Sequence, residues 1–483
     1  MSIYDKYEAV IGLEVHAQLN TKSKAFSNDL NEYGALPNEN VSVITLGHPG
    51  TLPRLNIKSP EFAIKMGLAI HANITKYNRF SRKNYFYADL PKGYQITQFD
   101  TPICTGGTIG IKLKDGSSKN IGLTRIHMEE DAGKSIHDQD PFNTLVDLNR
   151  AGVPLIEIVS EPDMKSGEEA YQYLSEIRKL VRYLDICDGN MEEGSLRCDA
   201  NVSVMLKGSK TFGQKVEVKN MNSIRNVQRA IEFEIKRQID LLESNQKIDA
   251  DTRTFNAVDG TTTSMRSKEE ANDYRYFPEP DLLPFVVHEK YVEELREQLP
   301  PLPNALYEQF TSEFGLNDYD AHNLIETKDI ALYFNALCQH TQNYKAAANW
   351  VMGEIKAYLN ENALSIDRFP LKEIQIAQII ALIDSGAISH SSASQKLFPL
   401  FVVHPEKTAE MLAKENDLLQ QSDDSVLEGF INEVIASNNA EVLRYKNGEH
   451  KLMGFFMGQL MKVSKGKADP KKSTGLMKKA LES

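Results

Sequence analysis

Leu196, Cys198, Ala200, Val202 and Val204 are apolar, and the residues between them, Arg197, Asp199, Asn201 and Ser203, are polar. This two-residue period predicts a strand with one packed face and one face free to hold polar groups. An ordinary half-solvated strand reads the same way, so the segment alone leaves its use open. The arrangement recurs, however. Residues 9–19 set Leu13, Val15, Ala17 and Leu19 on one face and Glu14, His16 and Gln18 on the other. Residues 154–159 carry a single carboxylate, Glu157, inside an apolar run. A buried, unpaired carboxylate protonates, pairs or binds a cation. Residues 125–131 end in Glu129, Glu130 and Asp131, whose repulsion needs a counter-charge or solvent, and residues 215–220 alternate again.

Strand-like alternation dominates to about residue 287, with helical connections over 168–184 and 226–245. The run Leu299-Pro300-Pro301-Leu302-Pro303 cannot continue a helix or a central strand and reads as a linker. Beyond it the period becomes helical. Ala348, Met352, Ile355 and Leu359 form one stripe of a helix over 344–362, and Ile376, Ile379, Ile380 and Ile383 form another. Further short helices end with one over 449–465, where Leu452, Phe455, Phe456, Leu460 and Val463 share a side. Its Gly454 and Gly458 suggest close helix packing. The expected class is α+β: a mainly antiparallel sheet domain with helices over 1–295, an all-α domain over 296–405, and a small helical tail over 406–483.

Composition narrows the choices. A chain of 483 residues has room for about three domains. No apolar run approaches the roughly 18 residues of a membrane span, and Met1–Asp5 does not read as a signal peptide. Cys104, Cys187, Cys198 and Cys338 are irregularly spaced, which argues against a zinc knuckle and fits a reducing cytoplasm. The net charge is −12, yet from Arg444 to Ser483 ten Lys or Arg face three acids. A basic end on an acidic protein suits contact with nucleic acid; a solvated, Lys-rich helical surface would look similar.

Acid-bearing strands that converge would supply the hard oxygen ligands magnesium prefers, with an imidazole at the edge. Cations at Arg82, Lys83, Arg197 and Lys219 suit phosphate oxygens. The pattern points to a magnesium–nucleotide site built on a sheet. No glycine-rich phosphate loop supports it: Gly133-Lys134-Ser135 is preceded by Met128 where such a loop needs its first glycine.

Longer motifs then make a set. Gly12–His16, Ser81–Tyr87, Pro91–Ile96, His127–Lys134, Asp147–Arg150, Glu157–Asp163, Met191–Ser203 and Met265–Asp281 follow in order. Tyr445–Gly448 and Gly454–Gly466 complete it. Over nearly its whole length the chain resembles the B subunit of the bacterial aspartyl/glutamyl-tRNA amidotransferases. The resemblance implies that misacylated Glu-tRNA(Gln) or Asp-tRNA(Asn) is phosphorylated by ATP on its side-chain carboxylate and then amidated by ammonia. A partner amidase, the A subunit, would release ammonia from glutamine, a small C subunit would join the two, and the helical domain and tail would contact tRNA.

By the same resemblance Glu14, His16, Glu130, Glu157 and Asp199 are candidates for the magnesium shell. Glu130, Asp199 and Arg197 are candidates for catalysis, and Lys83, Lys219 and Arg82 for phosphate or carboxylate contacts. Glu130 is equally a candidate gate for ammonia. Many relatives carry a Cys-x-Cys and a Cys-x-x-Cys that bind structural zinc; here those positions correspond to Ser27, Asp29, Ser42 and Thr45, so no zinc is expected. A carboxylate–amine ligase for small molecules would share the metal site without needing a basic tail. A pure tRNA-binding module would need the tail but not the acids.

Overall fold

The computed structural model describes residues 3–267, 274–420, 424–464 and 466–482. Residues 268–273 and 465, which fall within the motifs above, lie outside them. The architecture is α+β, in two compact units spanning residues 1–303 and 304–483.

The first unit is organised by one large sheet. Its principal strands are β1 (Tyr7–Gln18), β2 (Ser81–Asn84), β3 (Tyr94–Thr97), β4 (Ser118–Glu130), β5 (Pro154–Ser160), β6 (Leu196–Leu206), β7 (Val216–Lys219), β8 (Asp251–Asn256), β9 (Thr261–Ser267) and β10 (Phe277–Pro278). Across the sheet they run β9-β8-β7-β6-β1-β5-β4-β3-β2-β10. Along this path the pairs are antiparallel except β7 with β8. The alternation seen in the sequence explains the layers. Leu13, Val15, Ile156, Ile158, Ile126, Cys198, Ala200 and Val202 are buried in one core. Helices α1 (Lys58–Ala69), α2 (Gly167–Tyr183) and α3 (Ile224–Glu243) supply the rest of it, with Ile64, Leu174, Ile177, Val227 and Ile231. Ser166 and Ser223 begin α2 and α3 by accepting hydrogen bonds from the backbone N–H of Glu169 and Asn226, so each start coincides with a capping hydroxyl. Leu299 and Leu302 of the proline-rich run pack on this core.

The second unit is helical. The helix expected over 344–362 runs from Tyr344 to Glu361 but contains a π turn at Val351–Ile355. That extra residue rotates the stripe, so Ala348, Ile355 and Leu359 are buried while Met352 is only half-buried. Leu427, Ile431, Val434, Tyr445, Phe456, Leu460, Met477 and Leu481 form a separate cluster. The helix expected over 449–465 begins only at Met453, after the turn at Gly448 (φ +105°) and a short 3-10 segment. Among the described residues the expected close packing at Gly454 and Gly458 is not found: a Cβ at either would meet no atom of another segment within 4 Å. Among the described residues no helix is long and apolar enough to cross a membrane.

Candidate active site

The antiparallel register turns the polar alternation of separate strands into rows. Glu14 on β1 lies opposite Asp199 on β6, and His16 lies opposite Arg197 on one side and Glu157 on the other. Glu157 in turn lies opposite His127 on β4, and Lys83 on β2 opposite Gln95 on β3. These side chains cover the sheet face away from α2 and α3, because their neighbours in sequence point into the core.

Glu157 is the centre of the arrangement. Its Oε2 lies 3.3 Å from His16 Nε2 and 3.4 Å from His127 Nε2. Its Oε1 lies 3.7 Å from the Arg125 guanidinium. His16 Nε2 also approaches Glu14 at 3.7 Å, and His127 Nε2 approaches Glu129 at 3.9 Å. Burial works against the charge on Glu157, but the two imidazoles outweigh it and hold the carboxyl well below its usual range. Burial likewise opposes an imidazolium at His127, yet Glu157 and Glu129 raise its pKa to about 9. His16 is raised despite its burial, through Glu157 and then Glu14. Glu14, unlike Glu157, is raised, by burial and by the nearby Glu157 carboxylate. Lys83 Nζ stands 3.6 Å from Glu129 Oε2 and, with His127, keeps that buried carboxyl low.

In each of two sets, Glu14–His16–Glu157 and His127–Glu129–Glu157, the ligand atoms lie within 4.8 Å of one another. Carboxylate oxygens with an imidazole fit a hard divalent cation. Glu129 Oε2 adds a second sign of fit, being buried yet accepting no hydrogen bond.

The expected residues divide between the two faces of the sheet. Glu14, His16 and Glu157 come together. Asp199 stands in the adjoining row, paired with Lys219, whose Nζ is also 3.1 Å from Glu217. Arg197 reaches Asp131 at 2.8 Å. Glu130 does not join the set. The period-two alternation that aims His127 and Glu129 at the polar face turns Ile126, Met128 and Glu130 away from it. There Glu130 pairs with Lys92, accepts the Ile96 N–H at 2.8 Å, and lines a cavity of about 80 Å³ with Phe26, Ser27, Thr45 and Tyr94. Arg82 also points away from Lys83, forking onto Glu279 at 2.7 and 2.9 Å and meeting Asp281 at 3.1 Å. Sequence reasoning passed over His127 and Glu129, although the apolar Ile126 and Met128 between them carried the signal.

Residues 9–293 match the family described as the GatB/GatE catalytic domain, and residues 332–481 match a GatB domain. The chain belongs to the GatB/GatE family. It is 50% identical over 477 residues to the B subunit of the aspartyl/glutamyl-tRNA(Asn/Gln) amidotransferase of Thermodesulfovibrio yellowstonii, covering 99% of this chain and all of that one. With the corresponding protein of Azotobacter vinelandii it shares 49% over 481 residues, again 99% of this chain and 100% of the other. The chain from Syntrophotalea carbinolica is 48% identical over 476 residues, 99% of each.

In this GatB/GatE chain Ser27, Asp29, Ser42 and Thr45 make a hydrogen-bonded knot. Asp29 accepts from the Ser42 N–H at 3.0 Å and from the Thr45 hydroxyl, while Ser27 and Thr45 oxygens lie 3.4 Å apart. Hydroxyls and one carboxylate are not the soft thiolate donors of a structural zinc site.

Proposed function

We propose that this chain is the activating and transamidating subunit of a tRNA-dependent amidotransferase, acting on Glu-tRNA(Gln), Asp-tRNA(Asn) or both. The observation that supports this reading most is the row Arg197–His16–Glu157–His127 with Glu14 beside His16, flanked by Lys83 on one side and Lys219 on the other. A carboxylate is a poor electrophile, so amide formation needs a leaving group. A side-chain oxygen of the attached amino acid attacks the γ-phosphorus of ATP, and the bond to ADP breaks. Ammonia then attacks the acyl carbon of the mixed anhydride, phosphate leaves with the electron pair of the C–O bond, and the nitrogen loses a proton.

Magnesium, for which Glu14, His16 and Glu157 are the candidate ligands with His127 and Glu129 beside them, would neutralise charge on the transferred phosphoryl group. Lys83 and Lys219 are assigned to phosphate oxygens, and Arg197, braced by Asp131, to the reacting carboxylate. Asp199 holds Lys219 in place. Glu130 and Lys92, beside the small cavity on the opposite face, are assigned to ammonia entry and not to the metal. Water would destroy the activated acyl group, so ammonia must arrive under cover, from glutamine hydrolysed by a partner amidase. The amidase, the small joining protein and misacylated tRNA are the partners in this reading, and the four cysteines, all free and buried, suit a cytoplasmic setting.

The test uses the complex reconstituted with an amidase partner whose nucleophile has been removed. Given ATP, misacylated tRNA and an ammonium salt, it should form amidated tRNA, and this chain alone should not hydrolyse glutamine. No rescue by ammonium would remove the activation step from this chain.

A further inference from the structure

Beyond Lys83 the polar face ends in a wall of aromatic rings. Tyr85 and Tyr87 follow β2, Phe99 follows β3, and Tyr274 and Tyr276 lead into β10. Tyr85 meets Tyr87 at 5.8 Å and Tyr274 at 6.1 Å, both edge to face, and Tyr274 meets Tyr276 at 6.0 Å. Tyr276 stacks on Phe99 with centroids 4.1 Å apart and planes 9° from parallel. The segment is built, not loose. Asn84 donates from its backbone N–H and its side chain to the Tyr274 carbonyl at 2.9 and 3.1 Å, and from its side chain to the Arg275 carbonyl at 2.8 Å. Between the two tyrosines Arg275 holds the left-handed value φ +44°, uncommon for a residue with a side chain.

Two features give the wall a direction. Phe99 is 57% exposed and Tyr87 56%, so the stack that begins at Tyr276 ends on an open phenyl ring. Lys83 joins the wall to the reactive cluster, its Nζ 5.5 Å from the Tyr274 ring centroid and 3.6 Å from Glu129. A flat, uncharged π system would extend the stack, and anything anionic attached to it would reach Lys83.

We propose that this wall is an adenine platform: it stacks the purine of an adenosine whose phosphates or ribose ester extend past Lys83 to the Glu14–His16–Glu157 group. The inference rests on the function proposed above, in which two reactants carry that ring, ATP and the 3′-terminal adenosine of the tRNA. One ring chemistry serves for both.

The test compares Phe99→Leu and Tyr276→Leu in the assembled complex with Tyr276→Phe and with Phe142→Leu, an exposed aromatic outside the wall. KM for ATP and KM for misacylated tRNA are measured separately with ammonium as nitrogen source. Losing a stacking ring should raise one of them by roughly tenfold, with kcat at saturation near wild type. Tyr276→Phe and Phe142→Leu should leave both unchanged. A rise for ATP alone identifies ATP as the source of the ring, and a rise for tRNA alone identifies its terminal adenosine. Unmoved KM values in both leucine variants would overturn the platform, and so would failure of these variants to assemble, which would make the wall an interface with a partner protein. Glu157→Gln, assayed alongside, separates this outcome from failure of the site itself, because it should abolish ADP formation whatever the wall does.

Discussion

Lys24 shows how one residue can carry a pH dependence. It is fully buried, and its ammonium donates to the Asn40 carbonyl at 2.6 Å and the Leu148 carbonyl at 3.3 Å. Burial lowers its pKa to about 8, against the opposing pull of Asp29, Glu130 and Asp147. An unfolded lysine keeps its proton to about 10.5, so between those values the unfolded chain binds more protons and stability rises with pH. The difference in urea midpoint between wild type and Lys24→Met should therefore shift in favour of wild type as pH increases across that window. A difference independent of pH would mean an ordinary, solvated ammonium. At this scale the sequence was only partly legible. Lys24 sits in an unremarkable stretch and its burial depends on the loop folded over it. The faces of Glu14, His16, Arg197 and Asp199 could be read from alternation. Glu130, a candidate by resemblance alone, takes the other face because the pleat of the strand separates it from Glu129.

Elements decide what the residues can reach. Alternation reveals which face a side chain takes but not which strand lies beside it, and a shift of one residue in register would dissolve the whole row. The pairing of β1 with β6 and β5, strands far apart in sequence, was therefore outside what local patterns reveal, while β1, β5, β6, β7, α2 and α3 were visible within one or two residues and β4 only in its second half. The short segment after β4 makes the same point. Gly133 belongs to a Gly-Lys-Ser triplet, but it is there for close approach: a Cβ would lie 2.9 Å from the Asp147 and Asp89 carbonyl oxygens and from Leu148. Its own N–H donates to the Asp89 carbonyl at 2.8 Å. Gly133→Ala should lower stability by about 1–3 kcal/mol, the usual cost of forcing atoms into a packed site, seen as a lower denaturation midpoint. An unchanged midpoint would show that the two chain segments separate freely.

At the scale of the whole molecule the charge layout becomes a statement about tRNA. The chain carries −12 overall, yet Lys446, Lys451 and Lys462 are exposed on its basic end. If they meet the phosphate backbone, replacing all three by glutamine should weaken tRNA binding and reduce the slope of log affinity against log salt by about one per contact. An unaltered slope would leave them as a solvated surface. Catalysis by the first unit should persist at saturating tRNA in that variant. In the proposed reaction the residues on the sheet face activate the carboxylate. Glu157→Gln tests this most directly, since it keeps the side chain's shape and removes the charge between His16 and His127. In the assembled complex supplied with ATP, misacylated tRNA and ammonium, ADP formation should fall by roughly a hundredfold or more. Affinity for tRNA should stay within about threefold, because no phosphate-contacting cation has been lost. ADP formation at the wild-type rate would contradict the account.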